Sequence, residues 1–138
     1  MALTDFSTEN AVVTVNGRQL TDWGETATPY TDGPIDPSSA LRRGQGGNAV
    51  RLDRINPGRE VHLFLNPGSP DSAYVQGLLN SSATITLTYE QVGTLDIATG
   101  TEGVIINDGT RGRAGMTISD DEYIIQFNAW TGTKGGTY

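Results

Sequence analysis

The residues that could do chemistry are few, and their spacing does not support it. The only histidine, His62, alternates with Val61 and Leu63, which places it on the outward or interfacial face of a strand. The sequence has no cysteine, so a transition-metal site would need several carboxylates placed around this one imidazole. We therefore predict no metal site and no cofactor.

Acidic residues near the C-terminus are a second candidate for chemistry. Asp120, Asp121 and Glu122 are adjacent, and Asp108 precedes them. A calcium loop needs acids at alternating positions, so adjacent acids at a bend favour a solvated turn. Serine is plentiful, but His62 is not placed to act as the base that a serine nucleophile requires. The sequence therefore predicts that the chain is not an enzyme.

Phosphate binding and nucleic-acid binding are also disfavoured. Gly44-Gln45-Gly46-Gly47 precedes a strand, whereas a phosphate-binding turn leads into a helix, so we expect a flexible joint over 44–47. The formal net charge is −7, from 16 acidic and 9 basic residues, and nucleic-acid binding normally needs a basic face. Arg111-Gly112-Arg113 is then an exposed turn or a salt-bridge donor.

The elements that would position these residues are mostly strands. A chain of 138 residues with 18 glycines fits one mainly β domain over residues 1–138, and it has no apolar run long enough for a membrane anchor. The turn Asn16-Gly17 predicts a tight hairpin, and Ser69 followed by Pro70 predicts one helix to about Asn80. We expect an N-terminal arm over 1–9 and a flexible tail over 132–138. Alternating residues predict strands over 10–16, 18–20, 47–55, 59–65, 83–91, 94–98, 103–107, 113–119 and 122–131. The turn Asn56-Pro57-Gly58 predicts that 47–55 and 59–65 form a second hairpin.

One long segment, residues 21–46, has no periodicity and is expected to be a loop. Such loops are either flexible or functional, and both interpretations stay open. Trp23, Tyr30 and Ile35 favour docking on a partner, because a solvated linker does not need apolar anchors.

The order of the segments resembles the small tail tube proteins of contractile-tailed bacteriophages, which are related to the tube of the type VI secretion system. The likeness covers the whole chain. It rests on the order of four sequence stretches and on the acidic loop between the first two. The stretches are Val12-Val13-Thr14-Val15-Asn16-Gly17, Leu41-Arg42-Arg43-Gly44-Gln45-Gly46-Gly47-Asn48-Ala49-Val50-Arg51, Ser69-Pro70-Asp71-Ser72-Ala73-Tyr74 and Phe127-Asn128-Ala129-Trp130.

This resemblance implies a β-sandwich or barrel-like subunit with one flanking helix. Six copies would form a ring, and stacked rings would form a structural virion tube that conducts DNA and the tape measure protein. The implied partners are further copies of the chain, the tail sheath, the baseplate or tube initiator, the tail terminator and the tape measure protein. The implied location is the virion tail, assembled in the host bacterial cytoplasm.

The resemblance also implies roles for individual residues. The long loop would reach a neighbouring subunit or ring, and a basic cluster would pair with acids across an interface or remain a solvated strand face. An acidic lumen would keep DNA moving, because like charges repel over a Debye length. The loop residues are Asp22, Trp23, Glu25, Tyr30, Asp32, Asp36, Arg42 and Arg43; the basic cluster is Arg51, Arg54 and Arg59; the lumen acids are Glu90, Asp96 and Glu102.

Two other function classes remain open from the sequence. A carbohydrate- or receptor-binding β-sandwich would expose aromatic side chains such as Trp23, Tyr30 or Trp130 for stacking on sugars. A hydrolase would need two carboxylates with well-separated pKa values in one pocket.

Overall fold

The fold is mainly β with one helix, as predicted. A computed structural model describes residues 6–7 and 10–135. Its elements are β1 (Ala11–Val15), β2 (Arg18–Leu20), β3 (Tyr30–Pro34), β4 (Ser39–Arg43), β5 (Ala49–Asp53), β6 (Arg59–Leu65), α1 (Pro70–Asn80), β7 (Ile85–Gln91), β8 (Ile97–Asp108) and β9 (Asp121–Thr133). The helix has 11 residues, and no helix of the described chain is long and apolar enough to cross a membrane.

Seven strands form one antiparallel sheet in the order β2-β1-β7-β8-β9-β6-β3. Tyr30 on the edge strand β3 stacks on Tyr89 of β7, with ring centroids 4.7 Å apart, so the sheet curls until its edge faces its middle. This curling gives the sandwich-like or barrel-like body that the sequence predicted. The core consists of Val13, Val15, Leu20, Val61, Leu63, Leu65, Val75, Ile85, Leu87, Ile105, Tyr123, Ile125 and Phe127.

Local signals in the sequence placed the first hairpin and the helix correctly. Asn16 and Gly17 have φ values of 50° and 88°, as a two-residue hairpin turn of type I′ requires. The Ser69 side chain accepts a hydrogen bond from the backbone N–H of Ser72, and Pro70 begins the helix. The strand β2 and the helix therefore have the predicted bounds, while β1 is one residue shorter at each end than the predicted strand 10–16.

Asp71, in the first turn of α1, ties the helix to the strand β2 and the segment after it. Its carboxylate accepts hydrogen bonds from the backbone N–H groups of Thr21 and Asp22, at 2.8 and 2.9 Å, and from Arg18 Nε at 2.9 Å. Desolvation would raise the pKa of Asp71, but these donors outweigh it and hold the pKa below its usual range. A single buried carboxylate thus fixes where the helix docks.

The expectation of a loop without elements over residues 21–46 was wrong, because β3 and β4 lie within it. The predicted pairing of 47–55 with 59–65 was also wrong: β5 pairs with β4, while β6 pairs with β3 and β9. The turn signal at Asn56-Pro57-Gly58 marks the point where the chain returns to the large sheet. Its carbonyls accept hydrogen bonds from Asp36 and Ile35 instead of closing a hairpin.

Three further boundaries differ from the sequence prediction. The predicted strands 94–98 and 103–107 join in one strand, β8, which begins at Ile97 and continues through Glu102 at φ 55°. Residues 113–119 form no strand and belong to the loop between β8 and β9. Gly132 and Thr133 belong to β9, while most of the predicted arm 1–9 and residues 136–138 of the predicted tail lie outside the described residues.

Candidate assembly interface

A β-hairpin arm, residues 35–57, extends the β3–β6 pair beyond the large sheet. The β3–β6 register ends at Pro34 opposite Arg59, and the β4–β5 register resumes with Ser39 opposite Asp53. The two strands of the arm form a separate two-stranded sheet, joined by the glycine-rich turn over residues 44–48. The predicted flexible joint at 44–47 is therefore the tip of the arm.

The stem of the arm is held by its own polar groups. The backbone N–H of Asp36 donates to the Pro57 carbonyl at 3.1 Å, and that of Arg54 donates to the Ser38 carbonyl at 2.9 Å. Arg54 also donates through Nε to the Pro37 carbonyl at 3.2 Å and lies 3.8 Å from the Asp36 carboxylate. Asp36 and Arg54, both expected at an interface with a neighbour, thus pair with each other within the chain.

Every residue from Pro34 to Asn56 is exposed. The exposed fraction is 66% for Leu41, 57% for Val50 and 54% for Leu52. An isolated two-stranded hairpin is only marginally stable in water, because it has no third strand or helix against which to pack. The arm therefore lacks, within the described chain, the packing that stabilises the other strands.

The two faces of the arm differ in character. Residues directly opposite in an antiparallel ladder share a face, and successive residues alternate. Ala40 pairs with Leu52 and Arg42 with Val50, which gives one largely apolar face. The other face carries Leu41 and Ala49 with four polar or charged side chains, namely Ser39, Arg43, Arg51 and Asp53.

Asp32 and Arg59 do not lie on the arm but form an ion pair in the large sheet. Their side chains are 16% and 19% exposed, and Arg59 Nε donates to Asp32 at 2.9 Å. The Arg59 guanidinium also lies over the Trp130 ring, 5.8 Å from its centroid. This pair links β3 to β6 within the sheet, so the predicted basic cluster is divided between arm and body.

Trp23 and Tyr30 pack against the core of their own chain instead of projecting from it. Burial raises the pKa of the Tyr30 phenol, and the adjacent Asp32 carboxylate, which accepts its hydrogen bond at 2.8 Å, raises it further. Trp130 is tilted against Phe127 at a centroid distance of 5.5 Å. The three aromatic residues that a sugar-binding surface would have exposed are therefore held by other side chains.

The end of the body opposite the arm is built from loops, here called the loop end: residues 22–26, 66–69 and 108–122. Asp120 accepts hydrogen bonds from the backbone N–H groups of Glu25 and Thr26, at 3.2 and 3.0 Å. Desolvation would raise the pKa of Asp120, but hydrogen bonds from Thr26 and Glu25 keep it below the usual range. Arg113 pairs with Asp121 at 2.7 Å.

The outer face of the body carries a histidine between two carboxylates. His62 lies on β6, 2.8 Å from a Glu60 oxygen through Nε2 and 3.1 Å from a Glu122 oxygen through Nδ1. Partial desolvation would lower the pKa of His62, but the bonds to Glu122 and Glu60 outweigh it and raise the pKa. The predicted outward position of His62 is thus correct. The described residues form no group of three or more His, Cys, Asp or Glu able to hold a metal ion.

The three predicted lumen acids differ in their exposure and in their hydrogen-bond partners. Glu90 is exposed on β7, and Glu102 is exposed on β8, where it accepts a hydrogen bond from Asn128 at 2.9 Å. Asp96 accepts a hydrogen bond from the Tyr89 hydroxyl at 3.3 Å and is only partly exposed. Beside Glu90 runs an uncharged row across five strands, made of Gln19, Thr14, Thr88, Thr99 and Thr131.

Comparison with solved structures shows where this fold occurs. One chain of a PVC extracellular contractile injection system sheath–tube complex matches over 94% of this chain and 91% of its own, with 12% identity and a TM-score of 0.56. A chain of the PVC sheath/tube terminator matches over 97% and 100%, with 13% identity and a TM-score of 0.57. The anti-feeding prophage tube-terminating cap matches over 96% and 93%, with 13% identity and a TM-score of 0.55.

No protein-family model and no curated protein sequence matches the chain. At 12–13% identity the structural likeness establishes the fold. It agrees with the resemblance drawn from the order of segments in the sequence. The chain has the fold found in the tube and cap assemblies of contractile injection systems.

Proposed function

We propose that the chain is a structural subunit of the inner tube of a contractile tail or injection particle, assembling into stacked rings of six copies. The observation that carries the proposal is the arm, in which 22 consecutive residues, 35–56, are exposed although they include ordered strands. A segment of this kind gains the packing that it lacks when it docks on another molecule. The shared fold supports further copies of the chain as that molecule.

Ring formation is supported by the edges of the large sheet. Its two edge strands, β2 and β3, have three and five residues, and each pairs with only one neighbouring strand of that sheet. Open edges recruit further strands unless they are blocked, and a closed ring of copies satisfies them. The proposed ring uses these edges laterally and leaves the arm for contact with the next ring.

The proposed tube conducts genomic DNA together with a tape measure protein. Its net charge of −7 supports passage without adhesion, because a negative wall repels phosphates over a Debye length of about 8–10 Å. Exposed Glu90 and Glu102 are the proposed lumen acids, whereas Asp96, held by Tyr89, contributes less to such a wall. The solved structures named above belong to injection systems. DNA as the cargo is inferred from the net charge and from the resemblance to phage tail tubes.

The remaining partners and the location follow from the same role. Within a particle the tube would contact a sheath, a baseplate or tube initiator at one end and a terminator at the other. The subunit would be made in the cytoplasm of the bacterial host and end in the tail of the virion. It would act through assembly and not as an enzyme.

The test is electron microscopy of the purified chain after concentration. Wild-type protein should form rings or tubes in negative stain. The double variant Val50→Ser with Leu52→Ser should remain folded but lose the tubes, because it makes the apolar face of the arm polar. Strictly monomeric wild-type protein at high concentration would contradict the proposal.

A matched control separates the arm from general surface hydrophobicity. Val92→Ser with Leu95→Ser removes the same two residue types, which are 53% and 42% exposed in the turn between β7 and β8. Tubes should persist in this control. Equal loss of tubes in both variants would show that the arm has no special part in assembly.

A further inference from the structure

The charges of the chain are separated along the direction of its strands. The arm carries four arginines and two aspartates, a balance of +2. The loop end carries six carboxylates and two arginines, a balance of −4. β6 connects the two regions, and its seven residues span about 20 Å. The molecule therefore has a basic projection at one end and an acidic surface at the other.

The acidic surface also offers a concave, partly apolar site. One hollow lies between the start of α1 and the loop between β8 and β9, and three carboxylates and two arginines line it: Asp108, Asp121, Glu122, Arg111 and Arg113. A second, lined by Glu25 and Ile118, adjoins it through shared residues. The Ile118 side chain is 48% exposed, and Met116 nearby in the loop is fully exposed. Carboxylates and apolar side chains thus occur together, as they do on the arm with the opposite charge.

We propose that the arm of one copy docks on the loop end of the next copy along the tube axis. Val50 and Leu52 would pack near Ile118, and Arg42 on the same face would meet the loop-end carboxylates. Arg43 and Arg51, on the other face of the arm, would pair with carboxylates at the margin of the contact. Arginine suits this role because its planar guanidinium pairs with carboxylates in partly desolvated contacts. The inference rests on the proposed function and specifies which surface receives the arm.

Charge also selects the direction of stacking. Two arms placed together would bring like positive charges into contact, and two loop ends would bring like negative charges into contact. Only the head-to-tail arrangement pairs opposite signs. A contact between two different surfaces of the same chain repeats in one direction, which is the geometry of an open-ended tube.

The test uses two charge-reversed variants, alone and mixed. Arg42→Glu with Arg43→Glu changes the balance of the arm from +2 to −2, and Glu25→Lys with Asp108→Lys changes that of the loop end from −4 to 0 through its two exposed carboxylates. Each variant alone should need at least about tenfold more protein to assemble, measured by sedimentation and negative-stain microscopy. An equal mixture should assemble at a lower concentration than either variant alone. The unchanged arm of one variant then meets the unchanged loop end of the other, and the substituted glutamates face the substituted lysines.

Two controls separate docking from misfolding and from net charge. Circular dichroism and thermal unfolding of each variant should match the wild type, since all four side chains are exposed. Lys134→Glu changes the charge by the same two units as Arg42→Glu but lies outside both surfaces, and it should leave assembly unchanged. Equal effects of these two single changes would point to net charge and overturn the docking site.

The outcomes distinguish this inference from the proposed function. If the wild type assembles but the mixture assembles no better than either variant alone, the arm does not dock on the loop end. If the loop-end variant assembles normally while the arm variant does not, the arm binds another surface or another partner. A wild-type chain that never assembles would overturn both proposals.

Discussion

Two strands that follow each other in the chain, β5 and β6, have the same alternating pattern but opposite environments. In β6, Val61, Leu63 and Leu65 are fully buried. In β5, Val50 and Leu52 are more than half exposed. β6 has a strand on each side and the core beneath it, whereas β5 pairs only with β4. Alternation therefore specifies a strand, but it does not say whether the surface that buries it belongs to the same chain.

The body and the arm should respond differently to mutation if this comparison is correct. The body, meaning the seven-stranded sheet with α1, has its stabilising contacts within one copy. The arm has few of its own, and its side chains should matter for assembly instead. The predictions that follow compare the two regions, beginning with the largest expected effect.

Truncation of one leucine in each region should give the largest contrast. Leu63→Ala should reduce the free energy of unfolding of the monomer by about 3 kcal/mol, since it leaves a cavity in the core. Leu52→Ala should reduce it by less than about 0.5 kcal/mol, because an exposed side chain leaves no cavity. Urea unfolding of the dilute monomer measures both values. Similar losses for the two variants would refute the distinction between body and arm.

Removal of the carboxylate that docks the helix should have the next largest effect. Asp71→Ala should cost about 2 kcal/mol, because the N–H groups of Thr21 and Asp22 lose their acceptor. The pKa of Asp71 is lowered in the folded chain, so its contribution is present above about pH 4 and is lost as the pH falls through the folded-state value. The difference from wild type should shrink in acid, and a constant difference would contradict this role.

Two ion pairs extend the comparison to charged groups. Arg59→Gln should cost about 1.5 kcal/mol, because it leaves Asp32 partly buried without its guanidinium partner. Arg54→Gln should cost less than about 0.5 kcal/mol, since Arg54 and Asp36 are both half exposed and 3.8 Å apart. Thermal unfolding of both variants at one salt concentration measures the contrast. The reverse order would show that the arm stem is more important to the monomer than the sheet edge.

The smallest effect is expected at His62, on the outer face of the body. Its pKa is raised by Glu122 and Glu60, so its contribution is complete below about pH 6.5 and is lost as the pH rises through the folded-state value. His62→Gln should therefore destabilise the chain by about 0.5 kcal/mol near pH 5.5 and less near pH 8.5. Denaturant titrations at the two pH values measure the two losses. A larger loss near pH 8.5 than near pH 5.5 would contradict a raised pKa of His62.

The sequence predicted those parts of the fold that short-range signals determine. The Asn16-Gly17 turn and the Ser69 cap act over a few residues, so the first hairpin forms at the predicted turn and α1 has its predicted bounds. The pairing of β6 with β3 and β9 depends on residues far apart in the chain, which alternation alone does not identify. Prolines in the segment 29–37 also hid β3, an edge strand that tolerates them.

The candidate site was predicted in part for the same reason. Arg42, Arg43 and Arg51 are exposed on the arm, in keeping with the interface expected for them, although their contacts with a neighbour remain a prediction. Trp23 and Tyr30 were expected to dock on a partner, but they pack against the core of their own chain. An aromatic residue in an irregular segment gives the same sequence signal in both cases, so the sequence does not distinguish them. Asp71 was missed as an anchor, and its only signal was an acid in the first helical turn.

The central claim is that the arm becomes stable only when another copy covers it. Amide hydrogen exchange over residues 39–53, compared between dilute monomer and assembled tubes, tests this most directly. The account predicts fast exchange in the monomer, strong protection in tubes, and little change in β6 between the two. Arm amides that are already protected in the monomer, or that remain unprotected in tubes, would contradict it.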